Sequence, residues 1–141
     1  MKQPPEKLIM ARPFRQEMLQ HAREVLPMEA VGLLGGDADG RVLLVKPLMN
    51  LAGLRSFLAD PFEQFQAERS IKQSGMSLIA VYHSHPGGGP QLSMDDIAFA
   101  IPRPVLHVIV ALSRPHALAD EIRAYWIKDR LPVPVKIYLE A

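Results

Sequence analysis

The chain has 141 residues, enough for one packed core and little more, and its 48% hydrophobic and 22% charged residues suit a globular protein. A formal net charge of +1, with lysines and arginines scattered, argues against a nucleic-acid protein that works through a broad basic surface. With no cysteine there are neither disulfides nor thiolate ligands, so any metal must be held by imidazole and carboxylate.

The N-terminal MKQPPEKLIMARP lacks the apolar core of a secretory signal. No apolar run approaches the ~18–20 residues that cross a bilayer, so the expected location is cytoplasmic, away from membranes. Lys7 to Ala11 (KLIMA) predicts an edge strand. Pro13 suits the first turn of a helix, in which Phe14, Met18, His21, Ala22 and Val25 recur at helical spacing until Pro27 closes it. Residues 30–36 (AVGLLGG) read as a buried strand, 37–40 (DADG) as a hairpin turn and 41–49 as the returning strand. Asn50 to Arg55 reads as loop and Ser56 to Ala59 as a short strand. Asp60-Pro61 is a cap followed by a first-turn proline, starting a second helix that Gly75 stops.

Residues 76–82 (MSLIAVY) form a continuous apolar run, the pattern of a central strand covered on both faces. Pro104 to Leu112 is a second such strand. Residues 121–128 predict a half-exposed strand and 133–139 a further edge. The sum is a single α/β (α+β) domain over residues 1–141, a mixed, largely antiparallel sheet flanked by helices.

The chemistry concentrates in residues 83–96, HSHPGGGPQLSMDD. His83 and His85 end the strongest strand, and alternate strand residues share a face, so both imidazoles can converge on one ion. Pro86, the glycines and Pro90 form a loop, and Ser93 starts a third helix (SMDDIAFAI) that carries Asp96 one turn along. Two imidazoles and one carboxylate leave a fourth tetrahedral position open, the arrangement of a catalytic zinc rather than a structural one. Ser93 and Asp96 also read as a capping box, with Asp95 merely favouring the helix dipole. Gly87–Gly89 lacks the lysine of a phosphate loop and reads as a flexible loop beside the metal. Ser84 reads as structural, His107 as a satisfied core histidine, and His21 and His116 as surface or loop residues.

H-S-H, seven residues, then S-x-x-D resembles the motif of the JAMM (MPN-plus, Mov34/PAD-1) metalloproteases. Glu29 in PMEAVGLLGG stands where that family has an upstream glutamate, and Asn50 and Asp60-Pro61 are similar to its short prokaryotic branch. The resemblance covers about residues 7–128. It implies the JAMM/MPN-like, cytidine-deaminase-like fold and one zinc per chain on His83, His85 and Asp96. It also makes Glu29 the general acid/base and Ser93 a donor to the oxyanion. Read from position alone, Glu29 is more readily a solvated charge at a helix end.

The resemblance further implies hydrolysis of a peptide or isopeptide bond at the Gly-Gly tail of a ubiquitin-like or sulfur-carrier protein, and leaves room for a homodimer. The 50–59 segment and the Gly87–Gly89 loop are expected to flank the groove for that tail. A non-catalytic zinc-containing interaction module is the competing reading, which intact Glu29 and Ser93 oppose. Kinship with a DNA-repair-associated branch fits less well with the near-neutral charge. Zinc deaminase chemistry is excluded, because its P-C-x-x-C ligands need cysteine.

Overall fold

A computed structural model describes residues 3–52, 58–98, 103–112 and 120–141. Its strands are β1 (Lys7–Ala11), β2 (Val31–Gly36), β3 (Val42–Leu48), β4 (Ser77–Pro86), β5 (Leu106–Leu112), β6 (Glu121–Lys128) and β7 (Leu131–Glu140). Its helices are α1 (Arg12–Glu24), α2 (Pro61–Gln73) and α3 (Met94–Ala98). The strands form one sheet in the order β1-β7-β6-β5-β4-β2-β3. The pairs β1–β7 and β4–β5 are parallel and the other four antiparallel.

β7 departs from expectation. It is not an edge, because β1 pairs along it from Lys7↔Lys136 to Ala11↔Glu140. The two real edges, β1 and β3, approach each other: Ile9 bridges Arg41 and its amide donates to the Gly40 carbonyl oxygen at 2.9 Å. The sheet therefore curls, and α1 fills the concavity. Met18, Leu19 and Ala22 of α1 are buried against Leu8, Met10, Val42, Val45 and the inner residues of β4 and β5. Burying a side chain such as Met18 is worth about 1.5–3 kcal/mol. Helix α1 ends at Glu24, three residues before Pro27, where the Met28 amide donates to the Val25 carbonyl oxygen and turns the chain toward β2.

Helix α2 covers the opposite face. Its start follows the sequence closely, since the Asp60 carboxylate accepts the Phe62 and Glu63 amides at 2.9 and 3.4 Å. Its end follows from Gly75, whose φ of +79° suits glycine. Ala67 and Ile71 pack on Val31, Leu33 and Leu48. Ala59 bridges Asn50, while Ser56 and Phe57 of the expected short strand lie outside the described residues. Strand β4 is thus central and doubly covered, as its apolar run predicts, and it continues through both histidines to Pro86.

Candidate metal centre

On β4, Tyr82 and Ser84 face α1, whereas Val81, His83 and His85 face the α2 side. In register, His83 sits between Val31 of β2 and Ile109 of β5. The imidazoles converge as the spacing predicts: their Nε2 atoms lie 3.2 Å apart. Asp96 closes the triangle from α3. Its Oδ1 lies 3.1 Å from His83 Nε2 and its Oδ2 3.1 Å from His85 Nε2.

Neighbouring groups orient these atoms. The Ser93 amide donates to Asp96 Oδ2 at 2.9 Å, and the Asp96 amide donates to Ser93 Oγ at 3.0 Å. The capping box and the acidic site are therefore one structure. His85 Nδ1 lies 2.8 Å from the Gly89 carbonyl oxygen. A carbonyl can only accept, so Nδ1 carries a proton and Nε2 is the nitrogen that would give up its own to bind a metal. The glycine loop thus fixes a tautomer. Residues 99–101 of the expected third helix lie outside the described residues.

Glu29, just before β2, is buried beside this triangle. One carboxylate oxygen of Glu29 and one nitrogen each of His83 and His85 lie within 4.8 Å of one another, a group able to hold a metal ion. The alternative of a solvated charge does not survive. Burial raises the Glu29 pKa against the pull of the two histidines. Burial also works against Asp96, but hydrogen bonds from His83 and His85 outweigh it and hold its carboxyl well below the usual range. For His85 burial opposes protonation, yet Asp96 and the Gly89 carbonyl prevail and raise its pKa.

The donor set fits zinc. Donor atoms about 2.0–2.1 Å from a tetrahedral ion stand about 3.3 Å apart, and nitrogen and carboxylate oxygen are its ordinary ligands without cysteine. The separations of 3.1–3.2 Å among His83, His85 and Asp96 match that edge.

Two histidines behave differently from their sequence readings. His21 is not a plain surface residue: it is partly buried, and its Nδ1 lies 2.7 Å from the Tyr82 hydroxyl. Tyr82 fits only because position 32 is glycine, where a Cβ would fall 2.2 Å from its ring. His107 is buried as expected, but it makes no hydrogen bond to a described residue, and burial pushes its pKa down to about 4. It opens instead into the cleft that holds the metal-ligand candidates. Nothing in the apolar run PVLHVIVAL distinguishes that placement from a core position. Ser84 is buried and structural, its Oγ accepting the Ala30 amide at 2.7 Å. His116 lies outside the described residues.

The cleft encloses about 1630 Å³ and runs from His83, His85 and Asp96 along α2. Leu58, Ala59 and Gly88 line it, so both segments expected to flank a groove border the same space. Arg103 and Glu68, 2.7 Å apart, link α2 to the approach to β5.

A Thermus thermophilus relative, named a probable TtuB-protein conjugate cleaving protease, is 33% identical over 90 residues. That match covers 64% of this chain but 61% of the relative, so the chain spans less than two thirds of it. The CysO-cysteine peptidase of Mycobacterium tuberculosis is 30% identical over 114 residues, covering 79% of this chain and 77% of that protein. A Desulfitobacterium hafniense protein of known solution structure superposes with a TM-score of 0.84 at 33% identity, covering 94% and 92% of the two chains. The family model for prokaryotic homologues of the JAB domain matches residues 11–128. By that match and by its fold, the chain belongs to the prokaryotic branch of the JAB/MPN family.

Proposed function

We propose that this protein is a zinc-dependent hydrolase that cuts a peptide or isopeptide bond at the C-terminal tail of a ubiquitin-like or sulfur-carrier protein. The observation that carries the reading is the triangle of His83, His85 and Asp96, closed at 3.1–3.2 Å with Glu29 buried beside it. His83, His85 and Asp96 would hold one zinc ion, which supplies a Lewis acid that polarises the scissile carbonyl and acidifies water. The names of the Thermus and Mycobacterium relatives support conjugates of small carrier proteins as the substrate class.

The chain's own groups supply the proton traffic. The Glu29 carboxylate takes a proton from the attacking water and returns it to the leaving nitrogen. Burial raises its pKa above the ordinary carboxylate value, which favours its holding the proton between the two transfers. Ser93 Oγ already accepts the Asp96 amide, so its hydroxyl proton is left to donate to the oxyanion. The cleft between α2 and the glycine loop receives the extended tail.

The test is a fusion of a Gly-Gly-ended carrier protein to a reporter peptide, followed by mass spectrometry. Cleavage after the second glycine is expected. It should stop on chelation and return with zinc. Zinc binding without cleavage of any such fusion would favour the interaction module instead.

A further inference from the structure

The regular pairing of β2 stops short of Glu29. Val31 is its first residue in register, opposite Leu48 of β3 and His83 of β4. Glu29 and Ala30 precede it, outside the strand, yet both are buried. Two side chains, of Ser84 and Asn50, add to the sheet one row beyond that regular pairing. On one flank Ser84, the residue after His83, accepts the Ala30 amide on Oγ at 2.7 Å and donates its own amide to the Ala30 carbonyl oxygen at 3.0 Å. On the other flank Asn50, two residues beyond Leu48, donates from Nδ2 to the Glu29 carbonyl oxygen at 2.9 Å.

Asn50 is itself held. Its Oδ1 accepts the amides of Ala52 and Leu58, each at 2.9 Å, and the Leu51 amide donates to the Leu58 carbonyl oxygen at 2.7 Å. The carboxamide therefore ties the Glu29 peptide to the base of the segment bordering the cleft. Ser84 faces α1, away from the two imidazoles that flank it in sequence, so its hydroxyl acts on Ala30 and not on the ligand atoms.

We propose that Ser84 and Asn50 are positioning residues for Glu29: they hold the Glu29–Ala30 peptide, which follows its Cα, from its two opposite edges and so aim its carboxylate at the centre between His83 and His85. This rests on the acid/base reading of Glu29 given above. The reason is geometric. A side chain that must pass a proton between water and a leaving nitrogen tolerates little displacement, and an error of about 1 Å can cost ~10²-fold in rate. Removing the Ser84 hydroxyl leaves a buried amide without an acceptor, which the chain relieves by moving. Replacing Asn50 by aspartate keeps the acceptor for Ala52 and Leu58 but sets an oxygen against the Glu29 carbonyl.

The test places Ser84→Ala and Asn50→Asp separately in the native chain and in a Glu29→Gln chain, all loaded with zinc. In the native background kcat should fall at least about tenfold, with KM and zinc content within about twofold. Exchange of the Ala30 amide, followed by NMR, should accelerate in Ser84→Ala. Ser84→Thr, which keeps the acceptor, should restore both kcat and protection. In the Glu29→Gln background neither change should lower the residual rate further, because the group they position is gone. Losses that multiply in that background, or native kcat in both single variants, would overturn the proposal. A Glu29→Gln chain as fast as the native one would remove the acid/base role itself, and the positioning role with it.

Discussion

His83 and His85 present their Nε2 atoms to each other at 3.2 Å, a separation set by neighbouring positions on one face of β4. Two imidazole nitrogens held this close, with the Asp96 carboxylate 3.1 Å from each, form a centre that a cation would complete. Removing one ligand should weaken zinc binding by more than ~10²-fold, since even loss of an outer hydrogen-bond partner costs 10–100-fold. His83→Ala and Asp96→Ala should show this in a competitive chelator titration. Asp95→Ala, at an exposed position of α3, should bind as the native chain does. Native affinity in Asp96→Ala would remove that residue from the ligand set.

Glu29→Gln separates binding from turnover. Glutamine keeps the volume of the buried side chain but cannot carry the proton. Zinc content should stay at one ion per chain while kcat drops by about 10²–10⁴-fold. Ser93→Ala should also keep the metal, lose about 10²-fold in kcat through the missing oxyanion donor, and lower stability by about 1 kcal/mol through the missing cap.

The His85 contribution to the stability of the zinc-free protein and the affinity for zinc should depend on pH with opposite sign. The folded pKa of His85 lies above its ordinary 6.5, so the stability it contributes is complete below that value and is lost as pH rises through the folded one. The pKa of Asp96 is depressed, so its contribution persists through neutrality and disappears only in acid. Burial lowers the pKa of His21 and His107, whose contributions run the other way, so the check is a difference: the chelated native protein should exceed chelated His85→Ala in urea midpoint by more at about pH 6 than at about pH 8.5. Zinc needs His85 unprotonated, and its affinity should fall about tenfold per unit as pH drops below the raised value. A difference that grows from the lower to the higher pH would contradict the His85–Asp96 pairing.

Gly32→Ala tests the other face of the sheet. The added Cβ would meet Cε2, Cζ and the hydroxyl oxygen of Tyr82 at 2.2–2.4 Å, and Tyr82 is held through its hydroxyl to His21. The ring must leave its place in the core, at a cost of about 1–3 kcal/mol. Thermal denaturation should show the loss, and an unchanged midpoint would mean that Tyr82 has room the packing does not reveal.

Substrate selectivity can be read from peptides ending Gly-Gly-X and Ala-Val-X before the cut. The cleft bordered by Leu58, Ala59 and Gly88 should favour the first series in kcat/KM, because glycine lets backbone approach backbone. Equal values for the two series would remove the glycine-selecting groove.

Much of this was legible in the chain. Alternation at His83-Ser84-His85 placed two imidazoles on one face. Proline and glycine at 86–90 broke the strand there, and Ser93 with Asp96 announced both a helix start and a carboxylate at the right offset. These are local signals, carried by backbone geometry within a turn or two of the residue concerned. The same locality explains why Asp60-Pro61 and Gly75 marked the ends of α2 so closely.

What lay beyond them depends on contacts between distant parts of the chain, which no short pattern records. β7 became an interior strand because β1, more than a hundred residues earlier, pairs along it. Glu29 could be read alone as a charge at a helix end. It is buried because β2 lies antiparallel to β4, which carries the residues just before β2 to the level of Ser84 and the histidines. The same pairings bring Ser84 and Asn50 to its two sides, and they turn His107 from a core position into the wall of the cleft. The sequence by itself determined the donor types and their local spacing; only the tertiary structure decided which of them meet, because strand order and register, not proximity along the chain, set those distances.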